Sequence, residues 1–224
     1  MAKPPAIQSV TRTKHIFFCC YGDSGVGKTR LIGSHEGRTL IVRPPTEHTD
    51  SIRTPEGVDE WVVRGWNDMN EVEEYARHDG GKDYDWIWLD SISLFQDTGL
   101  DEIWADTIAA KPHRAQYGLD KGEYGVNMTR LARWVRSMVG IDQFNFGVTA
   151  HPLEIEDPVS EEMKLQPYVQ GKNMSTKVQG YMNLVAYYEK KNTGKGDDKK
   201  LVRVLRFEGS DRYVAKDQFD AFAE

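Results

Sequence analysis

The stretch GDSGVGKT, residues 22–29, decides the fold. It fits G-x-x-x-x-G-K-[ST] in full and follows directly on an apolar run, HIFFCCY (15–21). Such a run reads as a strand buried on both faces of a parallel sheet. Lys28 to Gly33 then open a helix. In that setting the glycines let successive backbone N–H groups turn inward on phosphates, and the helix N-terminus adds its positive dipole end. Gly22, Asp23, Ser24, Gly25, Val26, Gly27, Lys28, Thr29 and Arg30 are therefore expected to hold a nucleotide, with ATP as the cofactor. Lys28 is placed to reach the β- and γ-phosphates, and the Thr29 hydroxyl to ligate magnesium (Mg2+).

A phosphate site of this kind needs an acid at the end of a buried strand to hold the metal. WIWLD (86–90) places Asp90 there, after four apolar residues. A carboxylate at such a position is costly without a cation partner. The alternative is a strand-end aspartate capping the next turn. Asp90 is followed by Ser91 and not by glutamate, so a water-activating carboxylate directly after the metal ligand is missing. RTLIV (38–42) reads as a second strand, and Glu47 stands just past it, after Pro44 and Pro45. If that strand neighbours the Asp90 strand, Glu47 can orient and deprotonate water beside the γ-phosphate. The alternative is a surface glutamate after a Pro-Pro turn.

Elsewhere the pattern alternates between strand and helix. EWVVRG (60–65) reads as a strand and DMNEVEEYARH (68–78) as an amphipathic helix. Residues 95–140 are mostly helical, with a break over 115–125, and FNFGVTAHP (144–152) is another buried strand. A long polar segment covers 153–178. YMNLVAYYEK (181–190) and KLVRVLRFEG (200–209) flank KNTGKGDD, a hairpin turn. The fold class expected is α/β: a mostly parallel central sheet flanked by helices, closing in a C-terminal β-hairpin.

With 224 residues, 39% of them hydrophobic, the chain has material for one sizeable domain, residues 15–224, after a flexible tail over 1–14. No run of about 18 apolar residues exists, so no membrane span is expected. The basic start MAKPPAIQSVTRTK lacks the apolar stretch of a secretion signal, and a cytoplasmic location is expected. Cys19 and Cys20 are neighbours whose side chains leave a strand on opposite faces, which disfavours a disulfide. The net charge of −6 argues against wholesale coating of DNA, though not against a local basic groove.

The glycine-rich loop, Glu47-His48, Leu89-Asp90-Ser91 and Thr149-Ala150-His151-Pro152 together resemble the RecA family core. More closely, the chain resembles the small phage-encoded RecA-like P-loop ATPases of the Sak type, linked to single-strand annealing and recombination. The resemblance covers roughly residues 15–220. It implies a sheet in which the Thr149 strand lies between the phosphate-loop and Asp90 strands. It implies that Thr149 and His151 are polar sensors of the γ-phosphate, although a His before Pro is equally an ordinary turn residue. It implies that 153–178 is a DNA-binding loop carrying Lys164, Tyr168, Lys172 and Lys177. Basic residues interleaved with an aromatic suit phosphate contacts plus base stacking. Five acids from Glu154 to Glu162 keep a merely solvated loop open as the alternative. Arg114, within 111–125, is a second candidate DNA contact or else part of a loop and helix cap.

YVAKDQ (213–218) resembles the element carrying a trans-acting finger in RecA-like cores, with Lys216 in the lysine position. Gln218 stands where relatives often have arginine. The implied protein is a DNA-dependent ATPase acting on single-stranded DNA as a homo-oligomer, ring or filament, with ATP at the subunit interface. A small P-loop kinase is the rival, though no compact arginine-rich lid is present. A nucleotide-gated adaptor with little turnover is the third reading, kept open by Gln218.

Overall fold

The computed structural model describes residues 15–156, 161–171, 173–194 and 199–222. The 1–14 tail, Lys172 and the end of the KNTGKGDD turn lie outside the described residues. The elements in the first half are β1 (Phe17–Tyr21), α1 (Lys28–Ile32), β2 (Thr39–Arg43), β3 (Val58–Val62), α2 (Trp66–Arg77) and β4 (Trp86–Leu89). There follow α3 (Ile92–Ala110), α4 (Lys121–Val139), β5 (Asn145–Ala150), β6 (Pro152–Glu156), β7 (Met163–Pro167) and α5 (Met174–Tyr181). The chain closes with β8 (Leu184–Thr193), β9 (Lys200–Arg206) and β10 (Lys216–Asp217).

The main sheet has the order β10-β8-β1-β5-β4-β2-β3, with β9 also pairing β8. Strands β8, β1, β5, β4, β2 and β3 run parallel, while β9 and β10 are antiparallel to β8. Strand β5 thus lies between β1 and β4, and β2 is the direct neighbour of β4. Both adjacencies matter, because they bring Lys28, Asp90 and Glu47 to one end of the sheet.

The apolar strands divide their side chains between two faces, as a period of two requires. Cys19 and Tyr21 of β1 join a large core with α2, α3 and α4, while Phe18 and Cys20 join a smaller one containing Ile32 of α1. In β4, Ile87 and Leu89 take the first face and Trp88 the second. Gly147 of β5 makes room there: a Cβ at that position would overlap the Trp88 ring. Both cysteines are free and buried, and burial pushes the Cys19 thiol up to about 12. Such thiols are inert packing groups.

Two expectations are corrected. The helical break falls at 111–120 rather than 115–125, because Asp120 and Glu123 form a reciprocal capping box that starts α4 at Lys121. The polar segment 153–178 is not a plain loop. It forms an antiparallel ribbon, β6 with β7, followed by α5. The ribbon is anchored because the Leu165 amide donates to the Arg212 carbonyl, and the Val214 amide donates to the Leu165 carbonyl. Among the described residues no helix is long and apolar enough to cross a membrane.

Candidate functional site

The loop after β1 is shaped by glycines at positions where a side chain does not fit. A Cβ on Gly22 would run into the Tyr188 carbonyl of β8. Gly25 and Gly27 have φ of 74° and 112°, in the left-handed region that glycine enters without strain. The turn folds round the Lys28 side chain, which is buried. Its ammonium donates to the Gly22 carbonyl at 2.7 Å and the Asp23 carbonyl at 3.1 Å. Burial lowers the Lys28 pKa, against the opposing pull of nearby Cys20, Asp90 and Glu47. Helix α1 has only five residues, so the loop's free N–H groups, rather than a long macrodipole, supply its affinity for anions.

Asp90 ends β4 and is 2% exposed. The Thr29 hydroxyl donates to its Oδ2 at 2.6 Å, and the Thr149 hydroxyl, at the end of β5, donates to its Oδ1. A buried carboxylate beside a loop hydroxyl is the hard oxygen donor set that magnesium takes, with water and phosphate oxygens completing its shell. The residues present fit the ion.

Glu47 enters the same space from the loop after β2. Burial pushes its carboxyl above the usual carboxylate range, as does the charge of Asp90, while a hydrogen bond from Ser91 and the charge of Lys28 work the other way. His151 faces it from the end of β5, its pKa lowered by burial and then by Lys28. These groups line a cavity of about 410 Å³, together with Arg30, Arg53 and Arg203. Four cationic side chains, Lys28, Arg30, Arg53 and Arg203, thus face two carboxylates, Glu47 and Asp90. That balance suits a polyanion. A larger groove of about 570 Å³ lies between α2 and α4, lined by Asn70, Glu73 and Arg133 among others. It contains no phosphate-loop residue and its charges are mixed, so size does not make it the site.

A model of the AAA domain family matches residues 14–219. The chain belongs to the AAA domain family. Its fold is the α/β core of a P-loop NTPase, a mostly parallel sheet flanked by helices with the phosphate loop directly after β1. Among solved structures, the flagellar accessory protein FlaH from Methanocaldococcus jannaschii is similar at 12% identity, covering 85% of this chain and 77% of that one with a TM-score of 0.44. No curated protein matches the chain.

The AAA domain gathers Lys28, Thr29, Glu47, Asp90, Thr149 and His151 at one end of its sheet. The other candidates lie elsewhere. Lys216 sits on the edge strand β10, where its ammonium donates to the carbonyls of Gln179 (3.4 Å), in the last turn of α5, and Met182 (2.7 Å), just after it. Arg114 is held within the α3–α4 connection by Asp120 at 2.9 Å and Glu123 at 3.2 Å. Lys164 is half-buried on β7, and Lys177 is exposed on α5.

Tyr168 is tied to the nucleotide end by its backbone. Its amide donates to the His151 carbonyl at 2.7 Å, and its carbonyl accepts from the Ser93 hydroxyl at 2.7 Å. That hydroxyl in turn accepts the His151 amide at 2.9 Å. Ser93 and Arg203 are the residues that sequence reading missed. Strand alternation places Arg203 and Arg206, three apart on β9, on opposite faces, but only the pairing of β8 with β1 shows which face meets the phosphate loop.

Proposed function

We propose that this AAA-domain protein is a magnesium-dependent ATPase acting on single-stranded DNA in phage recombination, annealing or replication, of the Sak type, and working as a homo-oligomer. One observation carries the ATPase reading: Lys28, the Thr29–Asp90 pair and Glu47 converge on one polar cavity from β1, β4 and β2. Lys28 and the loop amides hold the β- and γ-phosphates. Thr29 and Asp90 would hold magnesium, which when bound neutralises charge on the phosphate oxygens. Glu47 orients a water and takes its proton as the water oxygen attacks the γ-phosphorus. The bond to the β-phosphate oxygen breaks, releasing ADP and inorganic phosphate.

The DNA reading rests on the backbone bonds that join His151 to Tyr168. The ribbon of β6 and β7 leaves directly from His151, so a group that senses the γ-phosphate is hydrogen-bonded to the segment carrying Lys164 and Tyr168. The test is steady-state ATP hydrolysis with magnesium at low salt, with and without single-stranded DNA. Stimulation is expected, and it should decline steeply as salt rises. A flat response sinks the DNA assignment and moves the weight to a small-molecule kinase or a nucleotide-gated adaptor.

Glu47→Gln is expected to lower kcat by about 100-fold or more, the range typical of a lost general base, with nucleotide affinity changed little. The base acts in its charged form, and its pKa is raised. Activity of the wild type should therefore fall, as pH drops, above the ordinary glutamate value of about 4.3. A kcat/KM profile whose acid limb lies at the ordinary value, or a glutamine variant with undiminished kcat, removes Glu47 from this role.

A further inference from the structure

Strand β9 pairs with the outer half of β8, with Arg203 opposite Lys190. Residues opposite one another in an antiparallel pair share a face. Two residues before Lys190 stands Tyr188, whose carbonyl lies over Gly22 and whose ring belongs to the core on the α1 side. Arg203 is therefore carried on the α1 face of the hairpin, next to the phosphate loop. Its Nε donates to the Val26 carbonyl at 2.7 Å. The same nitrogen is 2.9 Å from where a Cβ on Gly27 would lie. Gly27 thus serves two ends: it adopts a left-handed φ, and its missing side chain leaves the guanidinium a path along the loop into the cavity.

A guanidinium carries five N–H donors in a rigid fork, and the Val26 bond uses one. Among the described residues, no acceptor takes the terminal nitrogens of Arg203. The neighbouring Arg206 shows the contrast. It points to the other face and is closed in an ion pair with Glu189, at 2.8 Å from Nη2 and 3.0 Å from Nε. Among the described residues Arg203 has no such partner, and it lines the cavity that holds Lys28, Glu47 and Asp90.

We propose that Arg203 is a nucleotide-contacting residue acting within its own chain: braced on the Val26 carbonyl, it presents its terminal nitrogens to phosphate oxygens of a bound nucleoside polyphosphate. This rests on the nucleotide-binding reading of the loop. It supplies a planar cation to this cavity from within the same chain. Arginine suits the position better than lysine, because one plane can hold a backbone carbonyl through Nε and a phosphate through the terminal pair.

The test is titration of Arg203→Ala, Arg203→Lys and wild-type protein with a fluorescent ADP in magnesium buffer, at two salt concentrations. Thermal melting without nucleotide checks that each variant is folded. Loss of a charge-assisted phosphate bond predicts affinity lower by about tenfold for the alanine variant. The lysine variant should recover part of that loss, and the wild-type advantage should shrink at high salt. An alanine variant within twofold of wild type overturns the proposal. So does a lysine variant no better than alanine with an unchanged salt response, since bracing of Val26 alone would give that result. Should the alanine variant melt early, the lysine variant's affinity and salt response decide alone. A wild type that binds no nucleotide overturns the loop reading and this proposal together, whereas a wild type that binds isolates the failure to Arg203.

Discussion

Replacing Lys28 with alanine is expected to abolish measurable ATP hydrolysis and to weaken nucleotide binding by about 100-fold or more. Each charge-assisted hydrogen bond to a phosphate oxygen contributes roughly 1.5–3 kcal/mol, and Lys28 is placed to make two. The ammonium is buried where its charge is disfavoured, and the carboxylates of Asp90 and Glu47 only partly offset that cost. A triphosphate supplies the missing counter-charge. Without nucleotide the ammonium is held by the Gly22 and Asp23 carbonyls, which the alanine variant leaves to water. The fold should therefore persist, because Cys20 and Ile32 on either side of the loop stay packed in their core. Calorimetric titration with a non-hydrolysable ATP analogue, beside a phosphate-release assay, checks both parts. Affinity near that of wild type would place the nucleotide outside this loop.

The parts of the molecule that were legible in sequence are those where burial leaves a periodic mark. FFCCY is apolar because β1 lies between two parallel neighbours with a core on each face. WIWLD is apolar until the residue that leaves the sheet, so Asp90 announces itself by contrast. The ribbon of β6 and β7 left a weaker mark, because it is short, exposed on one side and acidic on β6. Its stability comes from bonds to residues 212–214, about fifty positions on, which no local pattern encodes. The fates of Lys216 and Arg114 were equally hidden. No periodic pattern marks the bond from Lys216 to the Met182 carbonyl, or the ion pairs of Arg114 with Asp120 and Glu123. Arg203 is the converse, an unremarkable strand residue whose meaning depends on which strand lies beside β1.

Asp90 separates stability from function, and its two simplest variants should differ accordingly. Asp90→Asn keeps an oxygen that accepts a hydroxyl hydrogen bond but removes the charge that a divalent cation requires. Its magnesium-dependent turnover is expected to fall by about 100-fold or more, since metal coordination accounts for several kcal/mol of charge stabilisation in such reactions. Its unfolding free energy without ligand should stay within about 1 kcal/mol of wild type, because the buried site loses a costly charge as well as part of a hydrogen bond. Asp90→Ala removes both acceptors. The Thr29 hydroxyl, half-buried, can turn to water, but the Thr149 hydroxyl is fully buried and would have no partner. A loss of roughly 1–3 kcal/mol follows from one unsatisfied buried donor. Denaturant unfolding of both variants, with and without magnesium and nucleotide, reads the two effects independently. Wild-type protein should gain stability from the pair of ligands together, and the asparagine variant should gain little. If Asp90→Asn keeps its magnesium-dependent turnover within a few-fold, the metal is held elsewhere, and the carboxylate serves only to anchor Thr29 at the start of α1 and Thr149 at the end of β5.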